Sequence, residues 1–473
     1  MKIAIIGGGI TGLSAAYYLQ KEILAKNLDA EYHLYEADSR LGGKIQTDYS
    51  DGFIIEKGPD SFLARKMSAS RLAKEVGLEG ELLYNQTGQA YVLKEETLHP
   101  IPGGAVMGIP TKWGPFVKTK LFSPLGKARA AGDLIIPKSG DGSDDQSLGK
   151  FFRTRLGDEV VDYLIDPLLS GIYAGNIDNL SLKATFPQFE EIEQKHRSLI
   201  LGMKSSMAQK EEQPSQGKAK GNFLSFKKGL QSLVDSIENH LDEDVVHKNA
   251  PITLIKKKES GYEINFKDQS PAYFDRVIIT TPLDVVKNML PEDLHNDDFM
   301  EIPATSVATV AMAFDEGQVK QEFEGTGFVV SKKSNYTITA CTWTHKKWSH
   351  VAPKGKALLR CYVGRAGEEE IVEKSDEEIL EVVLKDLNKI MNVEGRPSFS
   401  RITRWRQSMP QYEVGHKQKL KKMRELLDKE MPGIHLAGAS YEGLGLPDCI
   451  TQGEKAVHKV LSSVPEKPMA VSK

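Results

Sequence analysis

The residues with the most chemical content stand at the start of the chain. Gly7-Gly8-Gly9-Ile10-Thr11-Gly12 is a G-x-G-x-x-G run set between a short apolar stretch and a segment with helical apolar spacing. The first glycine permits a tight turn, Gly9 lets backbone approach a pyrophosphate, and Gly12 lets helix and strand pack closely. The pyrophosphate then rests on the helix N-terminus, where unpaired N–H groups and the helix dipole favour anions. Glu36 closes the next apolar run, at the interval where a carboxylate accepts hydrogen bonds from ribose hydroxyls, with Ala37 beside it. Strand, turn, helix and acid fall in register, which points to a dinucleotide.

Other chemistries find little support. The three cysteines, Cys341, Cys361 and Cys449, form no C-x-x-C pair, and the eleven histidines form no H-x-x-x-H pattern. Neither a disulfide framework nor a metal site is expected, and a reducing, cytoplasmic setting is. A net charge of −3 with 27% charged residues gives no basic excess for nucleic acid. Residues 1–19 imitate a secretory signal, but Gly7, Gly8, Gly9 and Gly12 break the apolar run. No apolar run is long enough to span a bilayer.

The elements that must position the site follow from periodicity. Residues 1–6 and 31–36 read as strands flanking a helix whose apolar positions are Leu13, Ala16, Tyr17 and Leu24. Residues 276–280 and 433–436 read as further strands of the same kind. Residues 148–203 look helical, and 138–147 and 204–221 read as loops, the second mobile. Period-two alternation at 306–314, 327–331, 336–344 and 357–363 predicts antiparallel strands. The 473 residues allow several domains. The expected division is a nucleotide-binding domain from 1–60, 222–297 and 432–465, a mixed-sheet domain from 78–97 and 298–431, and a helical domain from 61–77 and 98–205.

Three later segments carry a family resemblance. Arg40-Leu41-Gly42-Gly43-Lys44 and Gly52-Phe53-Ile54-Ile55-Glu56-Lys57-Gly58-Pro59-Asp60-Ser61 resemble the R-x-G-G-K/R and G-F-x-x-E-x-G-P signatures of the flavin amine oxidase and protoporphyrinogen oxidase superfamily. The run from His435 to Ile450, with Leu444, Gly445 and Leu446 at its centre, is similar to that family's closing flavin motif. Gly58-Pro59-Asp60-Ser61-Phe62, the 169–175 run ending in Ala174-Gly175, and Met409-Pro410-Gln411-Tyr412 with Gly415-His416 are similar to the porphyrinogen oxidases of the soluble Gram-positive branch.

The resemblance implies an α/β fold with α+β insertions: a Rossmann-like FAD-binding domain of the glutathione-reductase type, a mixed-sheet substrate domain and a helical domain. It implies noncovalent FAD, since Cys449 does not coincide with the attaching cysteine of covalent amine oxidases. It adds Arg40, Gly42, Gly43, Lys44, Gly58, Pro59, Asp60, Ser61, Ile252, Trp405, Leu444, Gly445 and Leu446 to the cofactor residues. Trp405 is equally readable as a core residue. The implied reaction is six-electron oxidation of coproporphyrinogen III or protoporphyrinogen IX, with dioxygen as acceptor, hydrogen peroxide as product and a place in haem synthesis. Ile172, Gly175 and Tyr362 are implied as substrate contacts, and Arg65 could pair with a carboxylate. No catalytic acid or base is assigned, because the pyrrole nitrogen shares the charge left by hydride loss.

Between Thr97 and Gly132 there is no Asp or Glu, yet Lys112, Lys118, Lys120, Lys127 and Arg129 occur among Trp113, Phe116, Leu121 and Phe122. This suits a carboxylated macrocycle, a peripheral contact with the inner face of the cell membrane, or plain solvation. Two rival activities share the scaffold. An amine oxidase or carotenoid desaturase is one, with Tyr441 as a candidate aromatic for amine oxidation; a non-enzymatic flavoprotein is the other.

Overall fold

The computed structural model describes residues 1–140, 142–211, 221–295, 301–320 and 323–462. A five-stranded parallel sheet runs in the order Val246–His247, Glu31–Tyr35, Lys2–Ile6, Arg276–Ile279 and Ile434–Leu436. Its strands come from both ends and the middle of the chain. The first strand alternates between two cores. Ile3 and Ile5 pack with Leu13, Leu19, Ile450 and Val457, while Ala4 and Ile6 pack with Ile264, Val286 and Met423. Coverage on both faces is why its sequence reads as one continuous apolar run.

The first helix, Ile10–Lys26, buries Leu13, Ala16 and Leu19 against this sheet. Leu24 departs from the expected stripe and is 74% exposed, since it lies near the end of a helix whose last turn clears the core.

A second sheet has seven strands, ordered Phe399–Pro410, Ala304–Asp315, Lys356–Val363, Ile338–Trp343, Gly327–Val330, Tyr91–Lys94 and Thr97–Pro100. All pairs are antiparallel except Gly327–Val330 with Tyr91–Lys94. The four alternating segments read from sequence all form strands here. Val310, Met312, Leu359 and Cys361 point back onto helix Asp376–Ile390, burying Ile379, Val383 and Leu387. The alternate residues Thr309, Arg360 and Tyr362 therefore share the opposite, front face, as the pleat requires.

Helices Leu148–Leu156, Asp166–Tyr173, Pro187–His196 and Leu199–Glu211 surround a third core that includes Phe151, Phe152, Leu164 and Phe189. The last of these helices corrects the sequence reading, because it continues through part of the expected 204–221 loop. Leu199, Ile200 and Met203 anchor its first turns. Each further residue then adds a backbone hydrogen bond without needing an apolar side chain. Residues 212–220 of that stretch lie outside the described residues.

Candidate functional site

The glycine turn is built as its sequence requires. Gly7 has φ +101°, and a Cβ on Gly12 would stand 1.9 Å from the Gly7 carbonyl oxygen. A Cβ on Gly9, by contrast, would meet nothing within 4 Å, so that face of the turn is open. Gly9 is the N-cap of the first helix and has no side-chain cap, which leaves the first N–H groups for an anion. The buried Thr281 hydroxyl, at the end of the neighbouring strand, has no hydrogen-bond partner among the described residues. The residues present therefore fit a pyrophosphate in this cradle.

Glu36 is held in place by two backbone donors, Gly8 N–H at 2.6 Å and Asp38 N–H at 2.9 Å. Ala37 is exposed beside it. The Glu36 carbonyl accepts from Ala250 N–H at 2.9 Å, and this places half-buried Ile252 two residues farther along the same segment. The 40–44 segment lies against the turn, with Gly42 N–H donating to Gly8 O at 2.8 Å and Gly43 against Gly9. Arg40 donates to the carbonyls of Leu41, Gly43 and Ile45, so its guanidinium closes its own loop. Lys44 is largely buried, and its ammonium donates to the Ser408 carbonyl. Burial lowers its pKa.

The loop at 57–61 joins the two sheets. Lys57 O accepts from Trp405 Nε1 at 2.9 Å and from Thr309 Oγ1 at 3.0 Å. Arg360 donates to Gly58 O, and a Cβ on Gly58 would stand 1.9 Å from Lys44 O, so only glycine fits there. Pro59 is partly buried between these contacts and Asp60. Asp60 accepts from Lys347 Nζ at 2.7 Å and from Ser61 Oγ at 2.8 Å. Burial alone would raise its carboxyl, but Lys347 and Arg360 outweigh burial and hold it well below the usual range. Trp405, which the sequence left open between cofactor and core, is partly buried on the front face beside Gly58.

The closing segment leads from strand Ile434–Leu436 into helix Leu446–Leu461. Tyr412 Oη donates to Ala439 O at 2.5 Å and accepts from Gly443 N–H at 2.9 Å. His416 stacks on Tyr412 with ring centres 4.2 Å apart, and its Nε2 bonds Tyr441 O at 2.8 Å. The Gln411-Tyr412 and Gly415-His416 motifs thus brace the turn that carries Leu444 and Gly445. Gly445 caps the helix with no side chain, leaving N–H groups free ahead of buried Leu446. Asp448 in that first turn is paired with Lys66 at 2.6 Å. Cys449 is buried, and burial pushes its thiol up to about 11.

Three of the expected substrate residues, Tyr362, Ile172 and Gly175, come to one edge of this assembly. Tyr362 lies on the front face with the Arg360 guanidinium 5.0 Å from its ring centre. Ala366 N–H, four residues on, donates to Ala174 O at 2.9 Å, which brings the 172–175 turn to the end of the same strand. Ile172 is 48% exposed there, and Gly175 is packed against Gln411. Arg65 is exposed, with neither hydrogen bond nor ion pair among the described residues, next to Lys66. Tyr441 does not face this region: it is buried in the core with Ile279 and Leu283.

Several working residues had escaped the sequence reading. Lys347 and Thr309 gave no local signal. Arg360 did, as a charge inside the apolar run 357–363. Glu56 is half-buried with Leu230 N–H at 2.6 Å and Thr47 Oγ1 at 2.9 Å on its carboxyl, and desolvation pushes it up to about 7. The basic stretch divides. Arg129 donates to carbonyls of Arg153, Thr154 and Arg155, and Lys127 to Val117 O. Lys112, Lys118 and Lys120 are exposed. No cluster of potential metal ligands occurs among the described residues.

With this geometry in hand, known proteins can be compared. The family model described as flavin containing amine oxidoreductase matches residues 10–461. A coproporphyrinogen III oxidase of Bacillus subtilis (strain 168) is 55% identical over 97% of this chain and 98% of its own length. One from Staphylococcus aureus (strain NCTC 8325 / PS 47) is 43% identical, over 98% and 99%. A solved structure from Exiguobacterium sp. 255-15, assigned as a protoporphyrinogen oxidase, superposes with a TM-score of 0.86. It is 41% identical and covers 97% of this chain and 98% of that one.

The cradle generates a direct expectation. Glu36→Ala removes the acceptor on Gly8 N–H and, with it, the carboxylate proposed to take the ribose hydroxyls. FAD affinity should fall by about 1.5–3 kcal/mol, or roughly 10–150-fold, as for other hydrogen bonds to charged groups. Fluorescence titration of apoprotein with FAD measures it, and unchanged affinity would contradict the assignment.

Proposed function

The chain belongs to the family of flavin-containing amine oxidoreductases, and from that premise we propose that it oxidises coproporphyrinogen III to coproporphyrin III in haem synthesis. The observation that carries this reading is the 55% identity to the Bacillus subtilis coproporphyrinogen III oxidase along nearly the whole of both chains. Protoporphyrinogen IX is a second substrate, since the bridging carbons and pyrrole ring are common to both. Dioxygen is the terminal acceptor: one porphyrinogen and three O2 give one porphyrin and three hydrogen peroxide.

FAD, bound without a covalent link, supplies the hydride acceptor. The chain's own residues bind and orient. Gly7, Gly8, Gly9, Ile10, Thr11 and Gly12 present helix N–H groups to the pyrophosphate, and Glu36 takes the ribose. Lys44 brings a buried cation toward the cofactor's phosphates. Gly58, Pro59, Asp60 and Ser61 form a fixed wall, with Trp405 behind it. The free N–H groups ahead of Leu446 favour the negative charge that reduction brings. Ile172, Gly175 and Tyr362 line the macrocycle's edge, and Arg65 is an unpaired cation for a carboxylate. No side chain is assigned as acid or base, so positioning carries most of the catalysis. The amine-oxidase alternative loses its candidate ring, because Tyr441 is buried in the core.

We also propose a peripheral membrane contact. Lys112, Lys118 and Lys120 are exposed alongside Trp113, Val117 and Leu125 on helices Trp113–Lys118 and Pro124–Ala131. No helix among the described residues is long and apolar enough to cross a membrane. Cations near an anionic leaflet contribute about 1 kcal/mol each. Co-sedimentation with phosphatidylserine vesicles should be strong at low salt and lost at high salt through screening. Absence of binding at low salt would refute the contact.

Coproporphyrinogen III carries two more carboxylates than protoporphyrinogen IX. One carboxylate paired with a cation such as Arg65, exposed in the free protein and covered once the macrocycle binds, adds about 1.5–3 kcal/mol. The ratio of kcat/KM values should therefore favour coproporphyrinogen III by roughly 10–150-fold. Arg65→Met should narrow that ratio. Equal or reversed values in the native protein would overturn the preference, and an unchanged ratio in the variant would overturn the role of Arg65.

A further inference from the structure

The turn that carries Ile172 and Gly175 is held by its carbonyls. Tyr173 O accepts from Gln411 Nε2 at 2.7 Å, Ala174 O from Ala366 N–H at 2.9 Å, and Gly175 O from Lys332 Nζ at 3.2 Å. Each donor follows the end of a different strand of the seven-stranded sheet: Phe399–Pro410, Lys356–Val363 and Gly327–Val330. Their pairings make these three strands run in one direction, so the three donors stand along one end of the sheet. Ala174 has φ +48°, a left-handed conformation that a side chain disfavours. The turn keeps that shape because its surroundings impose it.

The helix that leads into the turn is anchored from the same side. Its entry is one π-helical turn, Val161–Ile165, closed by Asp166 N–H on Val161 O. The next carbonyl in that register, Asp162 O, would need a donor on Pro167, which has no N–H. It takes the hydroxyl of buried Ser331 instead, at 2.8 Å. Lys333 Nζ lies 3.7 Å from the Asp162 carboxylate, and Lys332 Nζ 3.5 Å from that of Asp166. Lys332 therefore reaches both the start of helix Asp166–Tyr173 and the carbonyl just past its end.

We propose that Lys332 is a positioning residue for the substrate. By joining the Asp166 carboxylate to Gly175 O it fixes the 172–175 turn against the sheet, and so sets where Ile172 stands relative to Tyr362. The role rests on the reading of Ile172, Gly175 and Tyr362 as macrocycle contacts. An ammonium suits the task, because it carries three donors and no acceptor and can serve both oxygens at once. Its charged hydrogen bond is also stronger than the neutral ones from Gln411 and Ala366.

Two variants of the FAD-loaded protein test this. Lys332→Met keeps the stem and removes the donors. KM for coproporphyrinogen III should then rise about tenfold with kcat little changed, since a displaced wall weakens the hold on substrate and transition state alike. FAD content and the rate of flavin reduction by dithionite should match the native protein. Lys332→Arg should bring KM back to within about threefold of native, because its fork still offers donors to both oxygens. An unchanged KM in Lys332→Met would overturn the proposal. So would a drop in kcat at unchanged KM, the mark of a smaller folded fraction. Hydrogen exchange gives a readout independent of substrate: amides of residues 173–176 should exchange about tenfold faster in Lys332→Met, and unchanged exchange would also overturn it. A native protein that does not oxidise coproporphyrinogen III would refute the functional reading and the role toward the macrocycle, whereas faster exchange in the variant would still uphold the clamp.

Discussion

One carboxylate between two cations ties the loop that follows the 47–56 hairpin to the seven-stranded sheet region. Asp60 is half-buried, with Lys347 on one oxygen and Arg360 close by; both cations are buried and come from the seven-stranded sheet region. Removing one partner of such a cluster typically costs about 3–5 kcal/mol, because the other charge stays buried and unpaired. The same Arg360 grips Gly58 O, while Trp405 and Thr309 grip Lys57 O. The 57–61 loop is therefore fixed from the front face of the seven-stranded sheet, the face proposed for the substrate. The requirement for glycine at 58 follows, since the loop is drawn down onto Lys44 O.

Within the nucleotide half, two helices do similar work at opposite ends of the cofactor. Ile10–Lys26 and Leu446–Leu461 both begin at a glycine with no side-chain cap. In the proposed reading the first presents its opening N–H groups to the pyrophosphate and the second turns its N-terminus to the flavin ring. The one acid in either first turn, Asp448, is neutralised by Lys66. Most charged side chains near the cofactor are already engaged in holding backbone: Arg40 its own loop, Lys44 a carbonyl, Glu36 the Gly8 amide. The residues proposed to bind the cofactor thus also hold one another in place.

The legible parts were those with a local cause. The glycine turn could be read because each glycine answers to its immediate neighbours, and Glu36 because its strand ends beside that turn. Alternation gave the strands of the second sheet, since one face is buried. The parts that were missed depend on partners far along the chain. Lys347 meets Asp60 across 287 residues, and Trp405 meets Lys57 across 348. Tyr441 looked like a site aromatic from its motif, but its place on the strand-to-helix turn sends the ring into the core. The acid-free stretch looked like one surface, whereas Arg129 caps a neighbouring helix end.

The central claim is that the bound flavin takes electrons from a porphyrinogen across the front face of the seven-stranded sheet. Anaerobic titration of the FAD-loaded protein with coproporphyrinogen III tests it most directly. The account predicts bleaching of the flavin band as coproporphyrin appears, with about three flavins reduced per porphyrin formed, because six electrons leave the macrocycle in pairs. A flavin that stays oxidised with coproporphyrinogen III, yet bleaches with a primary amine, would contradict it.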